Sequence, residues 1–161
     1  MRDVIVTVFG VVGVVVIVWF ICSLVFGLSL TAFVTGSMSP AMPAGAAAIT
    51  QKVAASDLAV GDVVTVARRD GVPVTHRIVE ITPHDERADA RVLVLRGDAN
   101  NTDDADHYVV SEAPRVIASL PVAGNALLWL KTPAIAIGMI VVIAGVVVWA
   151  LWPARRDEVA A

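Results

Sequence analysis

The 161-residue sequence holds one cysteine, Cys22, one tyrosine and only 17% charged residues. A single cysteine excludes an intramolecular disulfide framework and any cysteine-pair metal site. Glycine and proline number 11 and 8 and follow no period, which removes collagen-like and low-complexity classes. Charge is absent altogether between Asp3 and Lys52, and again between Lys131 and Arg155. The net charge of −3 gives no general reason to expect a nucleic-acid partner. What fills the gaps is apolar: 57% of residues are hydrophobic and the mean hydropathy is +0.78. Soluble domains carry about 45–50% apolar residues, and one small core cannot bury the excess. The composition is that of a small membrane protein.

The two uncharged runs carry that excess. Residues 4–30 are almost continuous Val, Ile, Leu and Phe, and as a helix they reach about 40 Å against the ~30 Å of a bilayer core. The run is longer than a cleavable signal's apolar region, and no small-x-small site closes it promptly, so it reads as an uncleaved signal anchor. Cys22 is preceded by Trp19, Phe20 and Ile21 rather than by small residues, which argues against lipid attachment. Residues 132–154 form a second run of spanning length. Arg2 flanks the first run, and Arg155 and Arg156 follow the second, against Lys131 alone on the other side. That bias predicts both termini in the cytoplasm and residues 31–131 outside. Trp129 at one end of the second run, and Trp149 and Trp152 at the other, suit interfacial belts. The lipid bilayer is thus the first expected partner.

Residues 31–131 have the size of one domain. They carry 9 of the basic and 12 of the acidic side chains, and so the whole net charge. Their pattern is β. Residues 63–68 and 72–81 alternate around Arg69-Asp70-Gly71 and predict a hairpin. Residues 90–98 and 114–122 predict two more strands, with 82–90 as a surface loop. No amphipathic helix is expected between the spans. The uncharged stretch 31–50 reads either as a loop or strand on the domain's own core, or as a face resting on lipid.

Few residues can do chemistry. Ser37 lies in a Gly- and Pro-flanked turn, His76 at a strand position, and Asp98, Asp103, Asp104 and Asp106 in one polar run. Singly, each has an ordinary structural reading as turn, core histidine or solvated loop. Together they offer more. A serine hydroxyl needs an adjacent base, and the base needs a group to orient it. Ser, His and Asp supply all three if the strands bring them together, and the turn at Ser37 could aim an N–H at an oxyanion. Lys52 is an alternative base, and His84 and His107 are weaker ones. The run Asp98–His107 has oxygen ligands of the kind calcium takes, but a calcium-loop template would put Asp103 where it needs glycine and Val109 where it needs glutamate. Zinc has no His-Glu-x-x-His set or cysteine pair. No metal or organic cofactor is expected.

Four boxes then stand in one order: Thr35-Gly36-Ser37-Met38-Ser39-Pro40, Val60-Gly61-Asp62-Val63-Val64, Thr75-His76-Arg77-Ile78-Val79, and Gly97-Asp98-Ala99-Asn100 with Asp104 after it. In these the chain resembles the archaeal and endoplasmic-reticulum type of signal peptidase I, over most of residues 31–131. The resemblance implies a mainly β fold, a small signal-peptidase-like catalytic domain flanked by two transmembrane helices. The parts would be a signal anchor (1–30), an extracytoplasmic peptidase domain (31–131), a second span (132–154) and a short cytoplasmic tail (155–161). It implies a serine endopeptidase with Ser37 as nucleophile, His76 as general base, Asp104 as orienter and Asp98 as a supporting carboxylate. Thr35 and Met38 would serve the oxyanion and the substrate. Secretory precursors would be the substrates, and the secretion machinery a further candidate partner. A histidine in the place of the bacterial branch's lysine lowers the case for Lys52. Three features depart from the pattern: Thr35 replaces the first serine, Gly45-Ala46 replaces Gly-Asp, and Asp103 adjoins Asp104 as a rival orienter. A non-catalytic anchored β module serving the assembly of secreted proteins is the alternative reading.

Overall fold

The computed structural model describes residues 2–151. They fall into two compact units, one of Trp19–Leu128 and one of the residues up to Val18 with those from Trp129 on.

The second of these contains two helices. Helix α1 (Arg2–Phe26) starts here and is the one helix among the described residues that is by itself long and apolar enough to cross a membrane. Its candidate span, Asp3–Phe26, has mean hydropathy 3.0, and no residue of its most apolar stretch is buried. A secretion signal would have the same properties. The second predicted span appears as α3 (Pro133–Leu151), which meets the spanning criterion only when joined to a short preceding helix, α2 (Ala123–Leu130), across a break. Trp152, Arg155, Arg156 and the predicted tail lie outside the described residues.

The larger unit is mainly β. Its seven strands are β1 (Leu28–Ala32), β2 (Ala47–Ala54), β3 (Val63–Ala67), β4 (Pro73–Pro83), β5 (Arg91–Arg96), β6 (Tyr108–Val110) and β7 (Glu112–Leu120). They form one sheet in the order β1-β2-β7-β3-β4-β5-β6, with antiparallel pairings throughout. The four predicted strands correspond to β3, β4, β5 and β7 within a few residues. Three strands and α2 were not predicted.

The first helix ends four residues before the boundary read from hydropathy, and the cause is local. Gly27 takes φ +62°, a left-handed conformation that closes a helix and that glycine adopts without a Cβ clash. Its carbonyl accepts the Lys52 N–H at 3.0 Å, and Ser23 Oγ donates to Leu28 O at 2.6 Å. Leu28–Leu30 are as apolar as the helix, yet they pair with β2 instead. The ambiguous stretch 31–50 resolves as the end of β1, a folded loop and the start of β2.

Two apolar clusters hold the sheet. One joins Val64, Val66, Ile78, Leu93, Leu95 and Tyr108 with smaller neighbours. Period-2 alternation explains it, since β3 and β5 each send alternate residues to one face. The other cluster joins Phe33, Met38, Met42, Ala46, Ala48 and Val63 under the 33–46 loop. Hydrogen bonds between Phe33 and Ala46 (2.9 Å) and Gly45 and Phe33 (2.8 Å) close that loop at its neck.

Candidate active site

His76 occupies an inward position of β4. It shares the alternation of Ile78, lies opposite Val64 on β3, and is 2% exposed. A polar ring at such a position must find partners. It does: Nδ1 lies 2.9 and 2.8 Å from the two carboxylate oxygens of Asp104, itself only 9% exposed. An ionised carboxylate only accepts, so Nδ1 is the donor of this pair, and in the neutral ring Nε2 is the acceptor nitrogen. The Asp104 N–H bonds to Leu95 O at 2.8 Å, which fixes the polar run to the end of β5.

Ser37 is presented by the tight turn that begins the 33–46 loop. Ser39 N–H donates to Gly36 O at 2.9 Å and Met42 N–H to Met38 O at 2.8 Å. Met38 is fully buried in the second cluster. Its side chain has no exposed surface and anchors the serine beside it. The Ser37 carbonyl accepts the Ala99 N–H at 2.9 Å, so the Gly97–Asn100 turn is stitched to the serine's own backbone. Thr35 Oγ1 lies 3.4 Å from Ser37 Oγ. No hydrogen bond joins Ser37 Oγ to His76 in this conformation.

Gly97 brings the pieces together. A Cβ built there would sit 2.7 Å from Ser37 O and 3.0 Å from His76 Nε2, so the free nitrogen and the serine backbone flank one point. Ser37, Thr35 and His76 line a common cleft of about 500 Å³, walled by 31–35 and by 72–76.

Asp98 lies apart from this pairing. Its two oxygens accept from Arg77 Nε (2.8 Å) and Nη2 (2.7 Å), while Arg77 Nη1 donates to Gly61 O at 2.7 Å. Three of the four boxes thus meet at Arg77, and the Asp98 pair holds the Arg77 guanidinium above its ordinary pKa. Asp98 bears on chain geometry rather than on the imidazole. Asp98→Asn is expected to lower stability by about 1–2 kcal/mol, the partial exposure of Arg77 limiting the cost. Thermal unfolding in detergent measures it; an unchanged Tm would remove the pair from the frame.

The neighbouring candidates separate. Asp103 faces Arg96 at 3.5 Å and is half exposed, so Asp104 is the carboxylate on the ring. Lys52 pairs with Glu112 and does not line the cleft. His84 accepts a loop N–H from Glu86 at 3.2 Å, and His107 is exposed. Among the described residues no group of three or more His, Cys, Asp or Glu is arranged to hold a metal ion.

Two residues escaped the sequence reading, Arg68 and Tyr108, and Gly97 entered it only as part of a box. Tyr108 is buried and donates its hydroxyl to Asp104 Oδ2 at 3.2 Å. The signal available was its uniqueness as the one tyrosine, four residues after Asp104. Burial, and then the Asp104 charge, push the phenol above its ordinary value of about 10. A raised folded value means the stability it contributes is present below about pH 10 and is lost as pH rises through the folded value. Tyr108→Phe keeps the ring in the core and is expected to flatten that alkaline loss. Unfolding curves between about pH 9 and 11 decide it; identical slopes for both proteins would contradict the assignment. Searches against protein-family models and against curated proteins return no match to this chain.

Proposed function

We propose that this protein is a membrane-bound serine endopeptidase of the signal peptidase I kind, removing N-terminal signal peptides from secretory precursors. The observation that carries the reading is the buried His76–Asp104 pair, whose free Nε2 shares the Gly97 contact point with Ser37. A binding module needs no such pair, and burying it costs desolvation that packing alone does not require.

In this reading His76 Nε2 removes the Ser37 Oγ proton as the oxygen attacks the scissile carbonyl. Asp104 holds the ring's tautomer and balances the imidazolium. The oxyanion is met by N–H groups of the Ser37 turn and by the Thr35 hydroxyl. The ring then protonates the leaving amine, and water, deprotonated by the same nitrogen, releases the acyl group. Ser37 Oγ must first leave Thr35 Oγ1 for Nε2; catalytic hydrogen bonds of this kind often tighten only with substrate bound.

The architecture suits the substrate. A precursor keeps its apolar segment in the bilayer and offers a small-x-small site at the surface. Helix α1 would anchor the enzyme and α3 would be a second span, with the sheet outside and both termini in the cytoplasm. β1 is an edge strand whose end lines the cleft, so a precursor can dock as an added strand. The test is cleavage of a precursor with an Ala-x-Ala site by the full-length protein in detergent. Cutting at that site, lost when the two alanines become bulky, supports the reading; an inert protein sinks it and moves the anchored binding module ahead.

A further inference from the structure

We infer that Arg68 makes the enzyme select precursors with a carboxylate side chain close to the scissile bond. The inference rests on the peptidase reading and adds to it a charge preference beyond small side chains.

The cleft that holds Ser37 and His76 is lined otherwise by apolar and hydroxyl side chains, with one permanent charge, Arg68. Arg68 follows β3 at the base of the hairpin turn, where its N–H bonds to Val72 O at 3.0 Å and its carbonyl accepts the Gly71 N–H at 2.9 Å. Its position is therefore set by the turn. Its neighbour Arg69 is matched to Asp106 at 3.1 Å. Arg68 has no carboxylate within ion-pair distance among the described residues, and it lies beside the Tyr108 hydroxyl, a neutral group. Asp104 and Asp106 border the adjoining hollow that Arg68 also lines. Both are committed, Asp104 to His76 and Tyr108, Asp106 to Arg69. A basic residue thus lines the cleft of a domain whose own excess is negative.

A peptide strand in that cleft sends alternate side chains to the same wall. An Asp or Glu reaching Arg68 forms a charge-assisted hydrogen bond, with a guanidinium fork suited to a carboxylate. A lysine at the same place meets like charge, so the cleft both favours one class and rejects another. Arg68 is exposed, so the discrimination is moderate and falls with salt.

The experiment is a charge scan. Precursor peptides with a fixed Ala-x-Ala site carry Asp, Asn or Lys at each remaining position around the scissile bond, and kcat/KM is measured with the full-length protein. The expected result is one position, or two on the same strand face, where Asp exceeds Lys by about tenfold, shrinking as salt rises from about 50 to 500 mM. Arg68→Gln, which keeps a donor for Tyr108, abolishes the ranking, Arg68→Glu inverts it and Arg68→Lys retains it. Ratios within one variant do not depend on how much of it is active. Cleavage with a flat scan, a ranking indifferent to salt, or a ranking that survives Arg68→Gln overturns the inference and leaves the peptidase reading standing. No cleavage of any peptide by the wild type overturns both.

Discussion

Ser37→Ala is expected to lower precursor cleavage about a thousandfold or more while leaving the fold intact. The residue is half-buried, its hydroxyl's one hydrogen-bond partner among the described residues is Thr35 Oγ1, and its fixed part is the backbone bond from Ala99 to its carbonyl. Removing the oxygen therefore removes chemistry and little else. Asp104→Asn is expected to cost on the order of 10³–10⁴. The amide is isosteric, but it no longer holds the proton on Nδ1, and Nε2 loses its role as acceptor. His76→Ala should be as inactive as Ser37→Ala, with an added loss of stability, because it leaves the buried Asp104 carboxylate without its ring partner. Residues that act as a unit are not additive, so the Ser37→Ala/His76→Ala double variant should be no slower than either single one. Single-turnover cleavage of an Ala-x-Ala precursor, beside thermal unfolding of each variant, measures all four. Ser37→Ala retaining a tenth of the wild-type rate would displace the serine as nucleophile.

What could be read from the chain follows from which signals are local. The β3–β4 hairpin and β5 were legible because short runs rich in Val, Ile, Leu and Thr, such as residues 63–66 and 92–95, stand between turn signals. β1 was not, because Leu28–Leu30 continue the apolar run of α1 without a change in composition. Only the left-handed φ at Gly27 divides helix from strand, and a hydropathy count does not register a dihedral. β2 and α2 are rich in alanine or short, and their burial comes from tertiary partners. Gly124, for one, packs so tightly on Ala46 O that no side chain fits.

The site divides in the same way. Ser37, His76 and Asp104 could be named because a serine, a histidine and a carboxylate in motif boxes carry recognisable chemistry. The packing role of the Met38 side chain was not legible, because only its place under the 33–46 loop makes it an anchor. The adjacent aspartates were indistinguishable in sequence; the bond from Asp104 N–H to Leu95 O on β5 and the pairing of Asp103 with Arg96 separate them. Arg77 and Asp98 sit in different boxes, and their bidentate contact is a product of β4 lying beside β5. Sequence order names reactive groups, whereas register decides which of them meet.

Gly97→Ala tests that convergence most sharply, because it adds one methyl and removes no reactive group. Gly97 is buried, and the new carbon would lie 2.7 Å from Ser37 O, 2.9 Å from Asn100 Nδ2 and 3.0 Å from His76 Nε2. The Asn100 amide can swing away. The Ser37 carbonyl is backbone, held by the Ala99 N–H at 2.9 Å, and the imidazole is locked by Asp104 on its other nitrogen. Either the 33–46 loop or the ring must give way, and each movement separates nucleophile from base. Misplacement of about 1 Å can cost about a hundredfold in rate, and overpacking of a tight site costs about 1–3 kcal/mol in stability. The expected protein is therefore folded, somewhat less stable, and at least about a hundredfold slower in kcat with a smaller change in KM, since the cleft walls at 31–35 and 72–76 are untouched. Steady-state cleavage at a temperature well below the variant's Tm separates the two effects. A Gly97→Ala protein within threefold of the wild-type kcat would mean that Ser37 and His76 have slack between them, and that their shared contact point is packing alone.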